Sequence, residues 1–130
     1  MRLLLDTHIF LWFISGDPRL PENWRDSTRD TGNEVYLSVA SVWETIVKYR
    51  LGKLPLPEPP ESYLPTQRAR HQIVSLPLDE ASVRHLAVLP SIHRDPFDRM
   101  LVCQAIEHEL TLVTTDPVFA MYPAPIMVHP

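Results

Sequence analysis

The chain has 130 residues, of which 45% are hydrophobic, and this length and composition predict a single domain over residues 1–130 with enough apolar surface for a core. The formal net charge of −4 at pH 7 argues against a strongly basic protein that binds nucleic acid through charge alone. One cysteine, Cys103, cannot form an intrachain disulfide, and no apolar run is long enough to span a bilayer. We therefore expect a protein of the reducing cytoplasm that has no membrane partner.

Strands and helices are expected to alternate along the chain. Short apolar runs indicate buried strands, whereas apolar residues three or four apart indicate helices. The predicted strands are 2–5, 35–37, 73–76, 111–114 and, at one edge of the sheet, 126–128. The predicted helices lie at about 9–15, 21–30, 38–49, 66–71, 79–89, 96–106 and 118–121. Because the two types alternate, the pattern favours a parallel sheet covered by helices on both faces.

Three segments carry more specific expectations. The apolar residues of the helix at 38–49 recur at helical spacing and are Val39, Val42, Trp43, Ile46 and Val47. The helix at 79–89 is expected to begin with Asp79 as its cap and to bury Ala81, Val83, Leu86 and Ala87. The segment 54–65 holds five prolines, so we predict a stiff connector without a continuous helix.

Acidic side chains stand just after the predicted strands or in the early turns of the helices that follow. They are Asp6, Glu44, Asp95, Asp98 and Asp116. In parallel sheets ligands bind at the edge formed by the carboxyl ends of the strands, so we expect all five to face that edge. Carboxylates that converge without nearby bases repel one another and raise each other's pKa, a cost that a bound cation removes. Oxygen-only ligation favours Mg²⁺, with Mn²⁺ as a substitute, over Zn²⁺.

Some of these positions also fit a purely structural role. Asp95 is expected to be a helix N-cap, with Pro96 as the first helical residue and Asp98 in the first turn, and such a start needs no chemistry. Glu44 together with Ser41 matches a capping box, in which the glutamate bonds back to a backbone amide. The sequence alone leaves both interpretations open.

The leading chemistry for a carboxylate-held cation is hydrolysis of RNA or DNA. The cation lowers the pKa of a bound water and neutralises the charge that develops on a phosphodiester. A phosphatase or phosphotransferase with Asp6 as nucleophile usually has a second aspartate two residues later, where this chain has His8. A receiver-like binding module needs a lysine near the pocket, and no lysine follows Lys53. A scaffold whose acids only cap helices requires five such caps at one edge.

Four segments of the chain resemble a known family. They are LLLDTHIFLW from Leu3, SVASVWETIVKYRLGKL from Ser38, HRDPFDRMLVCQA from His93 and LVTTDPVF from Leu112. The segments occur in the order found in PIN-domain ribonucleases of the VapC type, which are toxins of bacterial and archaeal toxin–antitoxin pairs. The similarity covers nearly the whole chain, and HRDPFDR is its most distinctive string.

The resemblance implies a three-layer α/β/α sandwich with a central, mostly parallel sheet. It implies a Mg²⁺-dependent endoribonuclease that acts through metal-activated water, that forms a homodimer and that a cognate antitoxin inhibits. The family's acidic quartet falls on Asp6, Glu44, Asp98 and Asp116, with Asp6 and Asp98 as the direct metal ligands. The supporting candidates are Arg94 and Arg99 for RNA phosphates, Thr7 and Thr115 for orienting carboxylates or water, and Asp95, which suits helix capping best.

Overall fold

The computed structural model describes residues 1–128 and confirms the predicted alternation of strands and helices. The strands are β1 (Arg2–Leu5), β2 (Glu34–Ser38), β3 (Val74–Leu76), β4 (Thr111–Thr114) and β5 (Ile126–Val128). The α-helices are α1 (Thr7–Ser15), α2 (Glu22–Arg29), α3 (Val39–Arg50), α4 (Pro60–Arg70), α5 (Glu80–Arg84) and α6 (Pro96–His108). Two 3₁₀ helices cover His85–Ala87 and Pro117–Met121.

The five strands form one sheet in the order β3-β2-β1-β4-β5, and every neighbouring pair is parallel. Strand β1 lies at the centre, where Leu4 pairs with Tyr36 of β2 on one side and with Leu112 of β4 on the other. The final strand lies at an edge, as predicted from the prolines that precede it. Because all strands run the same way, the loops after β1, β2 and β4 emerge at one edge of the sheet.

The side chains of β1 alternate between the two faces of the sheet and so belong to two cores. Leu3 and Leu5 pack with residues of α1, α2 and α4, among them Ile9, Phe10, Trp24 and Leu64. Leu4 packs on the opposite face with residues of α6, among them Leu101, Val102 and Cys103. Helices therefore cover both faces, which confirms the three-layer sandwich, and Cys103 is a free, buried residue of the core.

Local sequence explains where helices α1 and α6 begin and end. Asp6 is the N-cap of α1, and Gly16 ends that helix with a φ of 68°, a conformation that glycine adopts without steric cost. Asp95 is the N-cap of α6 with Pro96 as the first helical residue, as the sequence predicts. Helix α6 ends at Glu109, a non-glycine residue with a φ of 54°.

Helix α3 turns a different face inward than its apolar spacing suggests. Its buried residues are Ala40, Ser41, Glu44 and Thr45. In contrast, Trp43 is 58% exposed and Val47 is 37% exposed. Three of these buried side chains are polar, and two of them, Glu44 and Thr45, line the cavity described below.

Two further expectations about local structure are wrong. The predicted helix at 79–89 is instead a short α-helix and a 3₁₀ turn over residues 80–87, so the apolar residues do not follow one continuous helical period. As a result Val83 is exposed and Ser82 is buried. The helix predicted at 66–71 begins earlier, inside the proline-rich segment, because Pro60 occupies the first helical position, where a missing N–H costs nothing. Residues 54–59 form no helix, as predicted. Pro65 lies inside the helix. In residues 1–128, no helix combines the length and apolar character needed to cross a membrane.

Candidate active site

The four acids of the predicted quartet line one cavity of about 270 Å³ at the carboxyl edge of the sheet. Asp6 follows β1, Glu44 lies on α3, Asp98 lies on α6 and Asp116 follows β4. Asp95 lines the same cavity. The structure thus brings together side chains that are separated by up to 110 residues in the sequence, at the edge where the parallel topology places them.

Asp6 is the most deeply held carboxylate of the cavity and is only 4% exposed. Its Oδ1 accepts a hydrogen bond of 2.8 Å from the Thr7 N–H, and its Oδ2 accepts one of 2.7 Å from the Thr114 hydroxyl. The Nδ1 atom of His8 lies 3.3 Å from Oδ2. Burial raises the pKa of Asp6, while His8 and the two hydrogen bonds act in the opposite direction.

Glu44 is buried beside Asp6 and is neutralised by the chain itself. Its Oε1 lies 2.6 Å from the Thr7 hydroxyl, which donates to it, and its Oε2 forms an ion pair with Lys48. The same Thr7 hydroxyl lies 2.9 Å from the Ser41 hydroxyl. The capping-box interpretation of Glu44 is wrong, because Ser38 caps α3 by accepting from the Ala40 N–H.

Asp98 differs from its neighbours in having no partner for its carboxylate. Asp95 accepts hydrogen bonds from the Phe97 N–H at 2.8 Å and the Asp98 N–H at 3.4 Å, so Asp95 acts as the helix cap. Within residues 1–128, no hydrogen bond or ion pair reaches the Asp98 carboxylate itself. Burial, followed by the negative charges of Asp6, Asp95 and Glu44, raises the pKa of Asp98 to about 7.

Asp116 is the most exposed acid of the quartet and is held by a histidine. Its Oδ2 lies 3.1 Å from Nε2 of His93, and its Oδ1 accepts a hydrogen bond of 3.0 Å from the Val118 N–H. Burial alone raises the pKa of Asp116, but these two hydrogen bonds outweigh it and lower the pKa below its usual value. The Nδ1 atom of His93 lies 2.9 Å from the Tyr122 hydroxyl.

A single hydroxyl connects two of the acids. The buried Thr114 donates to Asp6 and accepts a hydrogen bond of 3.1 Å from the backbone N–H of Asp116. Because Thr114 ends β4 and Asp6 follows the paired strand β1, this contact fixes the Asp6 carboxylate and the backbone at Asp116 relative to the centre of the sheet.

The supporting candidates occupy different surroundings. Thr7 contacts Glu44, and the Thr115 hydroxyl lies 2.7 Å from Nε2 of His8, which in turn contacts Asp6. Arg94 and Arg99 instead line a separate apolar pocket, and Arg99 donates to the Pro90 carbonyl at 3.0 Å. The structure therefore does not bring either arginine to the acid cavity, and their contact with RNA phosphates stays a prediction.

Sequence reasoning missed the residues that hold the acids in place: His8, Lys48, His93, Thr114 and Tyr122. Lys48 lies four residues after Glu44 on α3, a spacing that by itself signals an ion pair. Lys48 also lines the cavity, so the pocket does contain a lysine, which a receiver-like binding module would need. Its ammonium is already paired with Glu44. No sequence signal links His93 to Asp116, because their contact depends on how two loops fold together.

The donor set of the cavity suits a hard divalent cation. Nothing in residues 1–128 forms a preassembled cluster of three or more His, Cys, Asp or Glu ligands. Mg²⁺ is commonly bound by one or two carboxylates and keeps several of its waters, so a pair such as Asp6 and Asp98 meets its needs. The fit depends mainly on the Asp98 carboxylate, which has no partner among the described residues and whose pKa is raised first by burial and then by the neighbouring acids, because a bound cation would favour its charged form.

Comparisons with known proteins agree with this architecture. A segment of 72 residues is 43% identical to Ribonuclease VapC16 of Mycobacterium tuberculosis and covers 52% of this chain and 51% of that protein, so the match spans about half of the curated relative. Among solved structures, VapBC2 of Rickettsia felis superposes with a TM-score of 0.74 at 19% identity, covering 98% of both chains. A DNA-bound VapBC of Salmonella typhimurium gives a TM-score of 0.72 at 21% identity, again covering 98% of both chains.

The two solved structures show a shared fold, since their sequence identity to the chain is low. The assignment of a family depends on the sequence match to the PIN domain, which covers residues 3–124 and therefore includes all four acids of the cavity. These residues also contain the four segments that carry the resemblance found in the sequence. The chain belongs to the PIN domain family.

Proposed function

We propose that the chain is a Mg²⁺-dependent endoribonuclease and the toxin component of a VapBC-type toxin–antitoxin pair. The observation that carries the proposal is the convergence of Asp6, Glu44, Asp98 and Asp116 in one cavity, with Asp98 left without a partner. The sequence match to a ribonuclease and the fold shared with VapBC proteins support the same function. Mn²⁺ is expected to replace Mg²⁺, because both accept oxygen ligands in similar geometry.

Each acid has a distinct part in this proposal. Asp6 and Asp98 would hold the cation, while Glu44 and Asp116 support the site from either side. When bound, the cation supplies charge neutralisation at the phosphodiester and lowers the pKa of a water. Asp98 must lose its proton to become a ligand, and its pKa of about 7 means that much of it is protonated in the metal-free protein near neutral pH.

The surroundings of the cavity define what the chain itself does during cleavage. Thr7 and Thr114 hold Glu44 and Asp6 through hydroxyl groups, so neither carboxylate can rotate freely. His8 is 36% exposed at its side chain and lines the cavity beside Asp6, where it can contact a phosphate oxygen of a bound strand. We expect the substrate to be a single strand or a loop of RNA.

The decisive experiment is a cleavage assay on a structured RNA. Purified protein is incubated with the RNA and Mg²⁺ or Mn²⁺, beside a sample containing EDTA and beside Asp98→Asn. We expect cleavage only for the unmodified chain with metal. Glu107→Gln is the matched control, because Glu107 lies on the same helix but contacts His85 outside the cavity. Cleavage that persists in EDTA and in Asp98→Asn would refute the proposal.

The proposed partners are a cognate antitoxin and a second copy of the chain, both in the cytoplasm. Expression of the unmodified chain in a bacterium should arrest growth, and co-expression of the small protein encoded beside it should restore growth. Asp98→Asn should not arrest growth at equal expression level. A folded wild-type protein that leaves growth unchanged would count against the toxin assignment, and sedimentation of the purified chain as a monomer would count against the homodimer.

A further inference from the structure

We propose that His93 is a positioning residue for the Asp116 carboxylate and that Tyr122 fixes the ring tautomer in which His93 performs this role. The contact pattern is independent of the proposed function. Its consequence for metal binding rests on that function, because Asp116 matters as a supporting acid of the cation site. The arrangement is defined by three contacts, which join the loop before α6 to the segment after β4.

The hydrogen bonds of the Tyr122 hydroxyl have defined directions. Its hydroxyl lies 2.8 Å from the backbone nitrogen of His93 and 2.9 Å from Nδ1 of the same residue. The backbone N–H can only donate, so the hydroxyl oxygen accepts there. The hydroxyl proton has no other acceptor among the described residues, which leaves Nδ1 of His93 as its partner.

The contacts at its two nitrogens determine which of them carries the proton of the His93 ring. If Nδ1 accepts from Tyr122, the neutral ring carries its proton on Nε2. That atom lies 3.1 Å from Oδ2 of Asp116 and donates to it. The opposite tautomer would direct the Nε2 lone pair at a carboxylate oxygen and would leave the Tyr122 proton without a partner. Only the Nε2–H tautomer satisfies all three contacts.

The His93 ring is held in place by its packing. The His93 side chain is 11% exposed. Its ring is stacked on that of Tyr122, with centroids 5.5 Å apart and an angle of 8° between the planes, and it also contacts Phe119 with centroids 4.4 Å apart. A ring enclosed in this way cannot turn without breaking the bonds at both nitrogens. His93 is therefore a fixed donor and not a mobile side chain.

The consequence falls on Asp116. One of its oxygens accepts from the Val118 N–H and the other from His93, so the plane of the carboxylate is determined at both ends. Each carboxylate oxygen has a further lone pair, and these remain available on the side of the cavity that Asp116 lines. A histidine that orients a carboxylate in this way resembles the outer partners that tune metal ligands, whose loss typically costs about 10- to 100-fold in metal affinity.

The first test is the tautomer itself, which NMR measures without metal or substrate. Two-bond nitrogen–proton correlations of the ¹⁵N-labelled chain in EDTA should show His93 with a proton on Nε2 only. In Tyr122→Phe, which keeps the stacked ring but lacks the hydroxyl, the population with a proton on Nδ1 should rise. A proton on Nδ1 in the unmodified chain, alone or together with one on Nε2, overturns the assignment.

The second test is Mn²⁺ affinity, measured by the loss of the free-ion signal in electron paramagnetic resonance. His93→Leu should bind Mn²⁺ about tenfold more weakly than the unmodified chain. His93→Gln should recover most of the affinity, because the amide nitrogen of glutamine can replace Nε2 as a donor. His85→Leu is the matched control, since His85 also lies beside a carboxylate, that of Glu107, but is 31% exposed and lies outside the cavity.

The outcomes separate this inference from the proposed function. If the unmodified chain binds no Mn²⁺, the proposed function fails, and the tautomer measurement still decides the role of Tyr122. If the unmodified chain binds Mn²⁺ and a folded His93→Leu binds it equally well, or if His93→Gln binds it no better than a weakened His93→Leu, His93 does not position Asp116. Thermal melting of each variant identifies any that have lost the fold, in which case His93→Gln and Tyr122→Phe decide the question.

Discussion

Two carboxylates of the same cavity are held in opposite ways. Glu44 is almost fully buried, yet the Thr7 hydroxyl and the Lys48 ammonium compensate its charge. Asp98 is less buried, but its carboxylate has no such partner in the described part of the chain, and its pKa is raised to about 7. The fold therefore neutralises the charge of Glu44 by itself and leaves the charged form of Asp98 without compensation.

The largest expected effect is on the rate of RNA cleavage and concerns Asp98, the uncompensated carboxylate. Asp98→Asn should lower the rate of metal-dependent RNA cleavage by about 100-fold or more, because it removes a direct ligand while keeping the shape of the side chain. The variant should remain folded, since no contact of the carboxylate is lost. Single-turnover cleavage and thermal melting on the same preparation check both statements. A variant that cleaves at a normal rate would show that the unpartnered acid is not part of the machinery.

The next effect is on stability at the compensated side. Lys48→Met should destabilise the fold by about 2 kcal/mol, because it leaves the buried Glu44 charge without its cation, and the partly exposed ammonium keeps the cost below that of a fully buried pair. Urea denaturation at pH 7.5 measures the change. Adding Glu44→Gln should restore most of the loss. Lys53→Met, at an exposed position shortly after the same helix, is the control and should change stability little.

A smaller effect is the pH dependence that Asp98 causes in the metal-free protein. Its pKa is raised from 3.8 to about 7 on folding, so between these values the unfolded chain releases the proton first and the folded state loses stability as pH rises. Below about pH 4 both states are protonated and the effect vanishes. Asp98→Asn should therefore gain about 1 to 2 kcal/mol over the unmodified chain by pH 7.5, a value reduced by partial solvent exposure. Urea denaturation in EDTA from pH 4 to 7.5 provides the comparison, and a constant difference would contradict it.

The smallest effect concerns the hydroxyl that Thr7 gives to Glu44. Thr7→Val should cost about 1 kcal/mol, because one buried hydrogen bond to a charged group is lost while the volume is kept. Thr7→Ser keeps the hydroxyl and should lose less. If Thr7→Val loses no more stability than Thr7→Ser, the hydrogen bond to Glu44 does not account for the effect. Denaturation of the two variants beside the unmodified chain measures the difference.

The sequence predicts the sheet and the position of its acids because both follow from backbone rules. Compact apolar runs identify the strands, and an acid after a parallel strand must stand at the edge where ligands bind. The cap at Asp95 is likewise local, since Asp-Pro at a helix start satisfies the first amides within three residues. For these features no information about the rest of the fold is needed.

The parts that the sequence does not predict depend on contacts between distant segments. Helix α3 exposes Trp43 and buries Glu44, because the cavity provides hydroxyl and ammonium partners that a hydrophobic pattern does not register. His93 meets Asp116 only after the loop before α6 folds against the segment that follows β4. Pro65 is tolerated inside α4, which a rule based on proline alone forbids.

The Thr114 hydroxyl couples the two segments of the fold that it joins. One oxygen atom accepts from the main chain at Asp116 and donates to Asp6, so a shift of either segment is felt by the other through a single group. Replacements of Asp6 and of Thr114 should consequently be non-additive, and a double-mutant cycle across the pair reports the coupling in energy units. A replacement of Thr114 therefore disturbs the Asp6 carboxylate and the main chain at Asp116 at the same time.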